Sequence, residues 1–198
     1  MAEILNLIPS FRRIAMGAGL FLVLAAPSLR EVLEQDMTRH MLIQLPFLVL
    51  AGWLLIPAAA ASCRFVVIWD RFGIAGILTA NLAAAYWMLP RSLDNAIALP
   101  VFEIAKFISL PLLVGVPLGC CWPRMPMLGK GFVMANVVSM LGIAGWLYLA
   151  APVRVCVFYL SDQQEAVGRL LLCLAGAISL AVLFCAFVGF RPSAARTA

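Results

Sequence analysis

The chain has 198 residues, of which 65% are hydrophobic and only 12% are charged, and its formal net charge is +5. A soluble domain is about half apolar and about a quarter charged, so this composition excludes a soluble globular protein and indicates an integral membrane protein. The positive charge does not indicate a nucleic-acid partner, because the basic residues are spread over short segments and form no continuous run.

Six apolar runs follow one another along the chain, and a helix needs about 20 apolar residues to cross a bilayer. We predict spans at about 14–27, 41–62, 73–90, 96–121, 131–151 and 168–190, which form one all-α domain over residues 1–198. The first run is short and follows Arg12 and Arg13, so a cleaved signal peptide is the alternative interpretation. The residues before it are more apolar than the usual start of a signal peptide, which favours an uncleaved first helix.

The basic residues indicate how the six spans are oriented. More Lys and Arg residues fall on the side of the amino terminus than on the other side, and such an excess marks the cytoplasmic face. The residues on this predicted inner side are Arg12, Arg13, Arg64, Arg71, Arg124, Lys130, Arg191 and Arg196. Both termini are therefore predicted to be cytoplasmic, and we expect a bacterial plasma (inner) membrane protein surrounded by lipid.

A capping pattern precedes the second span. Ser28 and Glu31 have the spacing of a capping box, in which the serine caps the helix start and the glutamate reaches back to it. We expect a helix to begin at Ser28, to lie near the outer membrane face and to run into the second span. A kink is expected near Met37 to His40 or at Pro46.

The start of the second span carries a stripe of polar and sulfur-containing side chains. Met37, His40, Met41 and Gln44 are spaced three, four and seven residues from the first, so they share one helix face. Imidazole and thioether groups suit Cu(I), and His40 is the only histidine. In the plainer interpretation, His40 is a polar tip at the membrane boundary and the methionines only pack.

Four segments in the same order resemble the CtaG-type proteins, which help to assemble the copper centre of haem–copper oxidases. They are "MTRHMLIQLPFLVLAGW" (37–53), "WMLPRSLDNAI" (87–97), "FEIAKFISLPLLVG" (102–115) and "SDQQEAVGRLL" (161–171). The resemblance implies a membrane-helix bundle that binds or hands on copper at the outer face, with a haem–copper oxidase or another membrane complex as partner. The implied Cu(I) ligands are His40 and Met41, assisted by Met37, and the implied outer opening is shaped by Gln44, Asp94, Asp162 and Gln163.

The chain departs from that family at its other histidines. The family's second histidine falls here on Gln44, and its later pair falls on Pro100 and Ile104. Gln and carboxylate oxygens are poor ligands for Cu(I), so the resemblance supports the fold better than it supports metal delivery.

Two ionisable residues, Glu103 and Lys106, lie within the fourth predicted span, where such residues are costly and default to a functional hypothesis. They can pair with each other on one helix or with another helix, and they can also face the stripe around His40. We hypothesise that Lys106 supplies a fixed cation where the family has a metal.

No nucleotide-binding loop, nucleophile elbow or metalloprotease motif occurs, so we do not expect an enzyme. Three functions remain open. The first is copper handling in oxidase assembly, and the second is a structural subunit or assembly partner that keeps the fold without metal. The third is a small transporter that uses Glu103 and Lys106, although no inverted repeat supports it.

Overall fold

The computed structural model describes residues 10–56, 70, 72–151 and 154–189, and within them the chain is helical with turns and no strand. We number the described helices in chain order. They are α1 (Ser10–Ala25), α2 (Pro27–Glu34), α3 (Met37–Leu55), α4 (Ile74–Trp87), α5 (Pro90–Ala98), α6 (Pro100–Arg124), α7 (Met127–Ala150) and α8 (Ser161–Gly189). The predicted all-α class is confirmed.

Four of the described helices, α3, α6, α7 and α8, are long and apolar enough to cross a membrane, which supports a membrane protein. The pair α1 and α2, bent by 68° at their junction, makes up to five if it forms one broken span. Helix α4 is apolar but has only 14 residues. The end of the predicted 41–62 span and the predicted inner residues Arg64, Arg71, Arg191 and Arg196 lie outside the described residues.

The helix expected to begin at Ser28 begins instead at Pro27, and the predicted capping box does not form. Ala26, in an extended conformation, precedes α2, and no side chain caps this helix start. Proline suits the first helical position because its missing N–H would be unpaired there anyway. The predicted continuous helix is also broken, because Asp36 starts α3 afresh: its Oδ1 accepts hydrogen bonds from the backbone N–H of Thr38 (2.8 Å) and Arg39 (3.1 Å).

Helices α3 and α6 each contain one wide turn, in which a backbone N–H bonds the carbonyl five residues earlier. The turn in α3 covers His40–Gln44 just before Pro46, and the turn in α6 covers Leu110–Gly115. A proline inside a helix lacks an N–H and its ring clashes with the carbonyl four residues earlier, and a wide turn relieves both problems. The irregularity expected near Met37 to His40 or Pro46 is thus a widened turn.

Helices α3 and α6 approach each other at two glycines, which we call the glycine seam. A Cβ atom on Gly52 would lie 2.3 Å from the carbonyl oxygen of Pro111, and one on Gly115 would lie 2.3 Å from that of Val49. Neither position has room for any side chain, so the close packing of these two spans depends on both glycines.

The bundle has two ends that differ in chemistry. The site end carries α2, α5, the first turns of α3 and α6, and the segment 154–160 before α8. The opposite, basic end carries the first turns of α1, α4 and α7 and the last turn of α6, with Arg13, Arg124 and Lys130. The two ends position the two sites described below.

Candidate functional site

A group of polar side chains lies inside the protein at the site end. We call it the polar cluster: Glu34 of α2, His40 and Gln44 of α3, Lys106 of α6, and Tyr159 of the segment before α8. Lys106, His40 and Gln44 have no exposed surface, and the Glu34 side chain is 14% exposed. The cluster therefore joins four separate parts of the chain, and its central side chains are closed to solvent.

The Lys106 ammonium lies at the centre of the polar cluster. Its Nζ is 2.6 Å from Oε1 of Glu34, 3.1 Å from Oε1 of Gln44 and 3.3 Å from Nε2 of His40. An ammonium has three N–H donors, so these three acceptors satisfy it completely. Gln44 also donates from Nε2 to the same Glu34 oxygen at 3.1 Å, which closes a ring of hydrogen bonds around the ion pair.

The neighbours of His40 determine the protonation of its ring. Nε2 accepts from the Lys106 ammonium, so the ring proton is on Nδ1, which donates to the Tyr159 hydroxyl at 2.6 Å. The ring is neutral, because a second cation beside the ammonium would be repelled in this dry interior. Burial raises the pKa of Tyr159 above its usual range, so its phenol stays protonated at neutral pH.

These contacts decide whether the predicted copper ligands fit a metal. Both ring nitrogens of His40 are engaged, and a fixed cation lies 3.3 Å from the one that holds a lone pair. Met37 and Met41 are fully buried in an apolar cluster with Leu93 and other hydrophobic residues. Within the described ranges no three His, Cys, Asp or Glu side chains form a group that could hold a metal. In this arrangement His40, Met37 and Met41 do not fit a Cu(I) site.

Glu103 and Lys106, whose pairing the sequence left open, form no ion pair with each other. Glu103 pairs with Arg30 of α2 at 2.6 Å, while Lys106 pairs with Glu34 of the same helix. The sequence allowed each residue to pair either within its own helix or with another helix, and in the structure both pair with another helix. Two ion pairs thus hold α2 against α6, and each pair is neutral overall.

The other residues predicted at an outer opening lie apart from the polar cluster. The carboxylate of Asp94 accepts the backbone N–H of Val157 at 2.9 Å and holds the segment that carries Tyr159. Asp162 is exposed and Gln163 is half-buried. The buried residue is the next one, Gln164, which accepts from the N–H of Val155 (2.8 Å) and donates to the carbonyl of Tyr148 (3.0 Å).

Sequence reasoning missed Glu34 and Tyr159 as members of the cluster. Glu34 lies three residues before Met37, so helical spacing was an available signal, but Asp36 begins a new helix between them and the face cannot be extended across the break. Tyr159 is 119 residues from His40, and no local pattern links them. The same segment carries Cys156, whose pKa burial raises to about 12, with Asp94 adding to the effect, so its thiol is not a nucleophile at neutral pH.

The chain was compared with protein-family models, with curated proteins and with solved structures, and none of them matches it. The site geometry is therefore the basis for any functional conclusion.

Proposed function

We propose that this chain is an accessory protein of a membrane complex, a helical scaffold whose internal cation takes the place of a metal. One observation carries the proposal: the Lys106 ammonium is bound by Glu34, Gln44 and His40, and its three donors are all used. A metal would need the lone pairs that the ammonium already holds. The hypothesis of a fixed cation at Lys106 thus has direct support.

The polar cluster has the properties of a structural element. It is neutral overall, its members come from four segments, and its central side chains are closed to solvent. Buried ion pairs of this kind contribute little net stability but fix one arrangement of the elements that supply them. In our proposal the chain crosses a bacterial plasma membrane about six times, with both termini in the cytoplasm, and offers its outer surface to a partner.

Copper handling, which the resemblance to CtaG-type proteins implies, is the competing function. It requires His40 to exchange Lys106 for a metal, with Met41 and Met37 turning from the apolar core toward it. Such a change would leave a buried ammonium next to a copper ion, which is unfavourable in a low dielectric.

The test is a Cu(I) titration of the purified protein against a competing chelator, beside the His40→Ala variant. We expect the wild-type chain to hold copper no better than the variant. Stoichiometric binding that falls tenfold or more, which is about 1.4 kcal/mol, in His40→Ala would instead establish copper handling.

A second measurement addresses the scaffold role directly. The chain is purified from its native membrane in a mild detergent, and the mass of the particle is compared with the 21.4 kDa of the chain itself. We expect a larger complex that survives in His40→Gln, which is close in size and keeps a polar group toward Tyr159. A lone chain in both preparations contradicts the proposal.

A further inference from the structure

The basic end contains a groove that the polar cluster does not use. It has a volume of about 450 Å³ and lies between α3, α6 and α7. Its walls are almost wholly apolar and include Val49, Leu50, Trp53, Leu118, Trp122 and Met134. Ligand pockets in proteins span about 300–1,000 Å³, so the groove is large enough for the acyl chain of a lipid.

Cations lie against both tryptophans of this groove. The Arg13 guanidinium is centred 6.0 Å from the Trp53 ring, and Arg13 also donates to the Trp53 carbonyl at 3.4 Å. The Lys130 ammonium lies 5.8 Å from the Trp122 ring, and Arg124 follows in the same short turn as Trp122. Two cations, Arg13 and Lys130, thus lie against the tryptophans that line the groove, and a third, Arg124, is two residues from Trp122 in the chain.

These cations form no ion pair with the described residues, although Asp70 lies near Arg124. Among those residues, buried nitrogens of Arg13 (Nε) and Arg124 (Nε and Nη1) have no hydrogen-bond partner. Arg13 is only 6% exposed. Asp70 faces Arg124 across the Cys121 thiol and offsets part of one charge, so an excess of positive charge remains.

We propose that this groove binds an anionic phospholipid, with an acyl chain along the apolar wall and the phosphate against Lys130 and Arg124. Arg13, behind Trp53, adds to the positive field. A phosphate beside Lys130 accepts charge-assisted hydrogen bonds from its ammonium, and the remaining charge of Arg124 adds to the attraction. Basic pockets between membrane helices recognise lipid head groups in this way. The apolar slot selects a phospholipid over free phosphate, and the charge selects an anionic over a zwitterionic one.

This inference does not depend on the proposed function, because it uses no residue of the polar cluster. It predicts that anionic lipid occupies the groove in preference to zwitterionic lipid.

The groove carries its own reporters, since Trp53 and Trp122 are among its lining residues. The full-length protein is reconstituted in phosphatidylcholine vesicles that contain brominated phosphatidylglycerol or, in parallel, brominated phosphatidylcholine. Bromine on an acyl chain quenches a nearby tryptophan. We expect the anionic lipid to quench with about fivefold higher apparent affinity, which is about 1 kcal/mol and corresponds to one effective cation.

Matched variants distinguish lipid binding at this groove from a general attraction of anionic lipid to a positively charged protein. Arg124→Gln/Lys130→Gln should lose the preference, whereas Arg91→Gln/Arg154→Gln, which removes the same charge from exposed positions at the site end, should keep it. Trp53→Phe/Trp122→Phe should leave only the signal of the remaining tryptophans, including the exposed Trp146, without a preference.

Three outcomes overturn the proposal. The first is equal quenching by both lipids in the wild-type protein. The second is that Arg91→Gln/Arg154→Gln loses the preference as fully as Arg124→Gln/Lys130→Gln. The third is that neither lipid quenches Trp53 and Trp122. The last outcome would mean that protein covers the groove. If Arg124→Gln/Lys130→Gln does not fold, Lys130→Gln alone, on the first turn of α7, gives the same comparison.

Discussion

The two ends of the bundle differ in whether their charged side chains form ion pairs within the described protein. At the site end, Lys106 and Glu103 each have an opposite charge at 2.6 Å, supplied by α2. At the basic end, Arg13 and Arg124 place guanidinium nitrogens in the interior that have no acceptor within the described chain. Ion pairs within the protein favour one arrangement of the elements that supply them, whereas we infer that the excess positive charge at the basic end attracts an anionic ligand.

The largest effect is expected from removing the central cation of the site end. Lys106→Met should lower the free energy of unfolding by about 3–5 kcal/mol, because it leaves the Glu34 carboxylate in the interior without an opposite charge, with only the hydrogen bond from Gln44. This loss of stability is measured by unfolding the purified protein in mixed micelles with increasing dodecyl sulfate, with circular dichroism as the readout.

The control for this experiment removes both charges. Glu34→Gln/Lys106→Met should recover most of the loss, since no uncompensated charge remains and the volume is nearly kept. Equal stability of the single and the double variant would show that the ion pair does not couple α2 to α6.

A smaller effect is expected at the glycine seam, which lies between the two ends. Gly115→Ala should lower the free energy of unfolding by about 1–3 kcal/mol, because its Cβ would meet the Val49 carbonyl oxygen at 2.3 Å and force the spans apart. Gly142→Ala in α7 is the control, since no atom lies within 4 Å of its added carbon. A seam variant as stable as this control would contradict the close packing of α3 on α6.

The smallest effect concerns the carboxylate at the basic end. Burial raises the pKa of Asp70, but hydrogen bonds from the backbone of Gly76, the Cys121 thiol and the backbone of Ala75, together with the nearby Arg124, outweigh it and hold the pKa below its usual range. The contribution of Asp70 to stability is therefore present above about pH 4 and lost as pH falls through its folded-state pKa.

Asp70→Asn tests this contribution. It should lower the free energy of unfolding at pH 7 by at most about 1 kcal/mol and make the loss of stability on acidification shallower. Dodecyl sulfate titrations at pH 7 and near pH 3.5 measure the difference. An unchanged pH dependence would show that Asp70 does not couple to folding.

The sequence was sufficient to predict contacts within one helix and insufficient for contacts between helices. The spacing of His40 and Gln44 predicted a shared buried face, and the cost of burying Lys106 marked it as important. Glu34 and Tyr159 reach the same cluster from 72 residues before Lys106 and 119 residues after His40, and periodicity carries no information over such separations.

The errors at α2 also have a physical cause. The pattern at Ser28 and Glu31 is a real capping signal, but Pro27 is better suited to the first helical position and shifts the start. In the first turn of α8 the buried side chain is Gln164, whereas the family resemblance pointed to Gln163, because a resemblance in sequence does not tell which of two neighbouring side chains faces the interior.

The wide turns of α3 and α6 affect how this chain should be aligned with any relative. Each turn holds one residue more than a regular helical turn, and one residue corresponds to a rotation of about 100°. A relative with regular helices would be one residue shorter within each span. An ungapped alignment would then match every later residue of the span to a residue that lies on a different face of the helix. Both turns precede or include the contacts of the glycine seam, so a deletion in one helix alone would turn Gly52 or Gly115 away from its neighbour. The two insertions are therefore expected to be gained and lost together in evolution.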